Sequence, residues 1–167
     1  MQKLILRYSA YATLTLIAIG LFNFTVLSKM SYEVQEVAGY LSIFISMVFV
    51  FMGIKQYRDQ VNAGKLSFIQ GLKVGTLIVL IPAIAFGLLD LVYTELINPA
   101  WKEQYYNHYL EQYKSLPAAE FEKMKAQLKA QQEMFSSPGL QFLIMSMTVF
   151  VLGMIVTVIS SLTLKRS

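Results

Sequence analysis

The stretch GIKQYRDQVNAGKLSFIQGLKVG, residues 53–75, decides the fold because it is a long polar interruption between apolar runs. Its charged residues are four bases and one acid: Lys55, Arg58, Lys65 and Lys73 against Asp59. A polar segment between two apolar runs of helical length has to return the chain to the membrane. The stretch therefore predicts the basic loop of a transmembrane hairpin.

The composition extends this interpretation to the whole chain. Apolar residues make up 56% of the sequence and charged residues 14%, against about 25% charged residues in soluble proteins. The apolar residues form four blocks, at about 10–27, 37–54, 74–93 and 140–164, each long enough to cross a hydrocarbon core of roughly 30 Å as a helix. We expect an all-α fold, a single membrane domain over residues 1–167 with four transmembrane helices.

The first block has two interpretations. Lys3 and Arg7 ahead of an apolar run are also typical of a secretory signal peptide. The run is longer than the usual apolar region of about 7–15 residues, and TVLSKM after it is a poor cleavage site. We therefore expect a retained helix.

The large polar insert, residues 94–139, predicts an amphipathic helical hairpin between the third and fourth spans. Trp101, Tyr105, Tyr109 and Tyr113 recur every four residues, as one face of a helix does. Pro117 then suits the first turn of a second helix.

The distribution of charge predicts the orientation. The N-terminus, the 55–73 loop and the C-terminus hold eight bases and one acid, whereas residues 28–36 and 94–139 hold six bases and eight acids. The positive-inside rule places the first set in the cytoplasm. We expect a multi-pass protein of the bacterial inner membrane, with both termini cytoplasmic and the insert periplasmic. Topology also explains the net charge of +4, so no nucleic-acid partner is expected.

Residues for catalysis or metal binding are scarce. The chain has no cysteine, and His108 is its one histidine, with Glu111 on the same helical face. A metal site takes three or four ligands, and no phosphate-binding or dinucleotide-binding fingerprint occurs. We expect no catalytic residue, no metal and no cofactor, and therefore no enzyme.

Two groups of residues are candidates for a functional role. The loop cluster comprises Lys55, Tyr57, Arg58, Asp59, Lys65 and Lys73. It either sets topology and contacts anionic lipid, or it docks a cytoplasmic partner or a lipid-linked phosphate. Asp90 is the one acid inside a predicted span, near its outer end. It either pairs with a hydroxyl or a lysine of the insert, or it has a function of its own.

Small residues give three local predictions. Asn62 and Gly64 suit positive φ in a turn, and Ser67 suits a helix N-cap. Residues 67–75 are expected to lie along the membrane surface as a short helix, which leaves the Gly71 and Gly75 GxxxG pattern at the membrane edge as a weak pairing signal. Ser42 and Ser46 either line a helix contact or bond to carbonyls of their own helix.

These motifs resemble a known family over almost the whole chain. The resemblance is carried by Gly39-Tyr40-Leu41-Ser42, Gly53-x-Lys55-x-Tyr57-Arg58-Asp59, Gly64-x-x-Ser67-Phe68, Lys73-Val74-Gly75, the Pro99 region and the Leu-Lys-Arg end. The chain is similar to the small bacterial inner-membrane proteins of domain-of-unknown-function family 4199. That resemblance implies four spans and a cytoplasmic loop, and it implies no activity.

The expected function is that of a non-enzymatic scaffold or accessory subunit within the lipid bilayer. It would bind a protein partner through the basic loop, the periplasmic hairpin or both, and a homo-oligomer is also open. The alternative is a small transporter or lipid-handling protein using the stretch from Pro82 to Asp90. For that alternative, the resemblance suggests a link to polyprenyl-phosphate glycosyl transfer.

Overall fold

The computed structural model describes residues 1–166, which are all-α and contain no strand. The helices are α1 (Gln2–Val26), α2 (Tyr32–Gln56), α3 (Phe68–Val92), α4 (Trp101–Tyr113), α5 (Ala118–Ser136) and α6 (Pro138–Thr163). A 3-10 turn at Leu27–Lys29 follows α1, and π-helical turns at Tyr57–Val61 and Tyr93–Ile97 follow α2 and α3.

Four of these helical segments are long and apolar enough to cross a membrane. They are Gln2–Lys29, Tyr32–Val61, Phe68–Ile97 and Pro138–Thr163. The predictions of an all-α fold and of four apolar spans are therefore confirmed. The helices extend beyond the apolar blocks into flanking polar residues, as α1 does from Gln2 and α2 does from Tyr32.

The helices divide into two compact units. The first contains residues 1–86 and the chain from residue 146 onward, and the second contains residues 87–145. The core of the first unit is formed by fully buried side chains from four helices, among them Leu16, Met47, Val50, Ile78 and Val149. In the second unit, α4 and α5 contact each other. The rings of α4 contact one another along one face: Trp101 and Tyr105 stack with centroids 5.1 Å apart, and Tyr105 and Tyr109 meet at a tilt with centroids 4.7 Å apart.

The expected surface helix at residues 67–75 does not occur. This prediction is wrong, because α3 is continuous from Phe68 to Val92. Gly71 and Gly75 are buried in its first turns, against α6. A Cβ built on Gly71 would lie 2.7 Å from Ser161 Oγ, and one on Gly75 would lie 2.4 Å from Thr157 Cγ2. The GxxxG pattern therefore lets two helices approach closely, and its signal was stronger than predicted.

The serines of α2 bond to carbonyls of their own helix and also line a helix contact, so both interpretations are correct. Ser42 Oγ donates to Ala38 O at 2.6 Å, and Ser46 Oγ donates to Ile43 O at 2.7 Å. Both serines are nevertheless buried, and Asn23 Nδ2 of α1 donates to Ser42 Oγ at 2.9 Å. Bonds within α2 thus leave room for a polar contact between helices.

Candidate functional site

The loop after α2 is a turn held by hydrogen bonds. Asn62 N donates to Tyr57 O at 3.0 Å, and Gly64 N donates to Arg58 O at 2.8 Å. The residues with positive φ are Ala63, at 51°, and Gly64, at 79°. The prediction is right for Gly64 and wrong for Asn62, whose φ is −116°. The side chain of Asn62 closes the turn instead, because its Nδ2 donates to Lys65 O at 2.7 Å.

The start of α3 is tied to this turn. Gln70 N donates to Ser67 Oγ at 3.2 Å, and Ser67 N donates to Gln70 Oε1 at 2.9 Å. This reciprocal pair is a capping box, which confirms Ser67 as the N-cap. Gln70 Oε1 also accepts a bond from Asn62 Nδ2 at 3.3 Å. The turn and the first turn of α3 therefore form one hydrogen-bonded piece.

The C-terminal residues bind back onto this piece. Leu66 N donates to Arg166 O at 2.8 Å, and Arg166 N donates to Leu66 O at 2.9 Å, which forms an antiparallel bridge. Arg58 Nη1 reaches Leu164 O at 3.5 Å. The side chains of Leu66 and Leu164 are buried, with exposed fractions of 0% and 7%. We call these four residues the tail latch, because they hold the end of the chain on the loop.

A basic groove of about 430 Å³ lies beside the tail latch. Its lining residues are Asn62, Lys65, Leu66, Ser67, Gln70, Lys165 and Arg166, none of them acidic among the residues described. The three bases are exposed, and no carboxylate of residues 1–166 forms an ion pair with them. Asp59 is an acid close enough to act on Arg166, and it already pairs with Arg58 Nε at 2.6 Å. The groove is therefore suited to an anionic group.

The other members of the predicted loop cluster have separate positions. Lys55 is exposed in the last turn of α2 and acts electrostatically on Asp59. Tyr57 is half-buried and packs against the core of the first unit. Lys73 is exposed on α3 and does not line the basic groove. Of the predicted loop cluster, Lys65 lines the groove, whereas Arg58 and Asp59 form an ion pair outside its lining.

Asp90 belongs to a different polar cluster, in the second unit. Gln141 Nε2 donates to Asp90 Oδ2 at 2.5 Å and to Thr94 Oγ1 at 2.7 Å. Thr94 Oγ1 in turn donates to Asp90 O at 2.9 Å. Nearby, Lys102 pairs with Glu95 at 2.5 Å. The group bound to the Asp90 carboxylate is therefore an amide, whereas the hydroxyl of Thr94 bonds to the backbone carbonyl of Asp90.

Sequence reasoning missed Lys165, Arg166 and Gln141 as partners in these clusters. Lys165 and Arg166 follow the fourth apolar block directly, and Lys65 precedes the third. Two adjacent helix ends on one side of a membrane could have indicated a shared basic surface. For Gln141 the signal is an amide among apolar residues at the start of α6.

Groups of three or more potential metal ligands are absent from the part of the chain that the structure describes. His108 Nε2 lies 3.1 Å from Gln112 Nε2 on α4.

The family comparison covers nearly the whole chain. The model described as "Protein of unknown function (DUF4199)" matches residues 7–166. Neither the curated proteins nor the solved structures give a match.

Proposed function

The chain belongs to the DUF4199 family, and on that premise we propose that it is a non-enzymatic scaffold or accessory subunit of the bacterial inner membrane. In this proposal both termini and the basic groove face the cytoplasm. The groove binds an acidic segment of a partner protein. The helices α4 and α5 stand outside the cytoplasm and offer a second surface for a partner there.

The tail latch is the observation that carries the proposal. The positive-inside rule explains why bases lie near the ends of the spans, but it does not require that they be fixed relative to one another. Here the Leu66–Arg166 bridge fixes Lys65 beside Lys165 and Arg166. A surface whose charges are already held in place loses less conformational freedom when it binds a partner.

The charge balance indicates the chemistry of the partner. Lys65, Lys165 and Arg166 bring three positive charges to the groove, and Asp59 is occupied by Arg58. Asp or Glu side chains of a partner would supply the missing anions, and Arg166 can bind one of them with two parallel hydrogen bonds.

The experiment is crosslinking in native membranes followed by affinity purification of the whole chain. The variant Lys65→Glu/Lys165→Glu reverses two charges of the groove and leaves the backbone bonds of the tail latch in place. The matched control, Lys3→Glu/Lys73→Glu, makes the same change at two exposed lysines that do not line the groove. We expect the groove variant to lose an acidic partner that the wild type and the control retain.

Two results would contradict the proposal. The first is a partner that stays bound to the groove variant. The second is that no partner is recovered with the wild type, while Asp90→Asn alone reproduces the defect of cells that lack the protein. That outcome would favour the transport alternative.

A further inference from the structure

The cluster of Asp90, Thr94 and Gln141 contains one acceptor without a donor. Gln141 is 1% exposed, and its Nε2 donates to both of its neighbours in the cluster. Its Oε1 is buried and has no hydrogen-bond partner within residues 1–166. The cluster is independent of the basic groove, which lies in the other compact unit.

The hydrogen-bond donors of the cluster already form bonds to other acceptors. The hydroxyl of Thr94 donates to the backbone carbonyl of Asp90 at 2.9 Å, so it is not directed at a side-chain oxygen. Gln141 Nε2 is the donor to the Asp90 carboxylate, at 2.5 Å. An ionised Asp90 would add further acceptors to a cluster that already has an unsatisfied one. Buried acceptors without donors are rare in folded proteins because each is costly.

A carboxyl group and a primary amide can form two parallel hydrogen bonds. In one the amide N–H donates to a carboxyl oxygen, and in the other the carboxyl O–H donates to the amide oxygen. The first bond is present between Gln141 and Asp90. The second requires one additional hydrogen, on the carboxyl group. That proton would both satisfy Gln141 Oε1 and neutralise a charge placed within a helix of the membrane.

Charged groups around Asp90 do not supply this hydrogen. Lys102 of α4 is close enough to act on Asp90 electrostatically, and its Nζ pairs with Glu95 at 2.5 Å. From α6, the group that faces Asp90 is the neutral amide of Gln141. The lysine charge is thus balanced by a second carboxylate.

We propose that Asp90 and Gln141 form a proton-binding carboxyl–amide pair. Asp90 takes up one proton from water on Oδ1, and the resulting O–H donates to Gln141 Oε1. The bond from Gln141 Nε2 to Oδ2 is retained, and no other covalent bond changes. Release of the proton returns it to water and leaves a carboxylate beside Lys102.

Infrared difference spectroscopy of the whole protein in lipid nanodiscs tests this pair. Wild type minus Asp90→Asn isolates the carboxyl group of Asp90. At neutral pH we expect the carbonyl band of a protonated carboxyl group, with a shift to lower wavenumber in D₂O. Gln141→Leu should move this band to higher wavenumber, because the carboxyl group loses both hydrogen bonds.

A second variant covers the case in which Gln141→Leu does not fold. Gln141→Asn keeps the amide and shortens its reach, so it should move the band in the same direction. Lys102→Gln should leave the band in place and extend its presence to higher pH, since a charge that favours the carboxylate is removed.

The proposal is overturned if Asp90 gives only carboxylate bands at neutral pH, as a bound cation or a water molecule at Gln141 Oε1 would produce. It is also overturned if the band is the same in wild type and in both Gln141 variants. Neither result bears on partner binding at the basic groove.

Discussion

Leu66 and Arg166 exchange both of their backbone hydrogen bonds, at N–O distances of 2.8 and 2.9 Å, although Leu66 lies in the loop before α3 and Arg166 follows α6. The bridge places the start of α3 beside the end of α6. The close approach of these helices at Gly71 and Gly75 makes the bridge feasible, because the helix ends are then neighbours. The close packing of α3 against α6 within the apolar region therefore positions the bases of the groove, which lies beyond the apolar region.

Arg58 supports this bridge, and its removal should loosen the tail. In Arg58→Ala the bond to Leu164 O and the ion pair with Asp59 are both lost. We expect faster hydrogen exchange at the amides of Leu66 and Arg166, with helix amides of the core unchanged. Mass spectrometry of the protein in detergent micelles measures this exchange.

Arg58→Lys is the matched variant for that measurement. It retains the charge and loses the planar group that reaches Asp59 and Leu164 together. For Arg58→Lys we expect an amide exchange rate between that of the wild type and that of Arg58→Ala. Unchanged exchange at Leu66 and Arg166 in Arg58→Ala would show that the bridge does not depend on Arg58.

The sequence predicts most of the helical architecture because apolar block length is a direct physical requirement of the bilayer. Four blocks became four long helices, and Ser67 became an N-cap. The family resemblance was confirmed over residues 7–166. These features depend on local composition and on short spacings, which a single sequence displays.

The candidate site could be predicted only in part. Lys65 was identified, whereas its neighbours Lys165 and Arg166 were assigned to topology alone. Their proximity depends on which helices pack together, and the sequence does not display that pairing. The amide partner of Asp90 was missed for the same reason, since Gln141 lies on another helix. The role of Asn62 was misjudged because its side chain bonds to Lys65 O in place of adopting positive φ.

Gly75 should tolerate no larger side chain. In Gly75→Ala the new Cβ would lie 2.4 Å from Thr157 Cγ2 and 3.0 Å from Ile54 Cδ1, so the helices have to separate. Overpacking of this kind costs about 1–3 kcal/mol. Gly39→Ala is the control, because nothing lies within 4 Å of its added Cβ. Thermal unfolding in detergent should show a lower midpoint for Gly75→Ala only. Equal midpoints for the two variants would contradict the close helix contact.

The absence of cysteine makes the proposed orientation directly measurable. Single substitutions Lys65→Cys and Gln131→Cys place a thiol in the basic groove and on α5. In intact cells with a permeable outer membrane, a membrane-impermeant maleimide should label Gln131→Cys and leave Lys65→Cys unlabelled. Lysed cells should label both, which controls for accessibility. Labelling of Lys65→Cys in intact cells would reverse the orientation.

Partner binding at the basic groove should depend on salt. Lys65, Lys165 and Arg166 are exposed, so their attraction to an acidic partner is screened once the Debye length falls from about 10 Å at 0.1 M salt to about 3 Å at 1 M. A partner captured without crosslinking should therefore elute from the immobilised protein as salt is raised.

Substitutions that keep the charge separate this effect from packing. Lys65→Arg/Lys165→Arg should elute at the wild-type salt concentration or above it, whereas Lys65→Gln/Lys165→Gln should elute earlier. The partner's own acidic segment supplies the reciprocal test, because neutralising it should abolish the difference between the two variants. A partner that remains bound at 1 M salt in all forms would be held by apolar contacts, and the three bases would then serve topology alone.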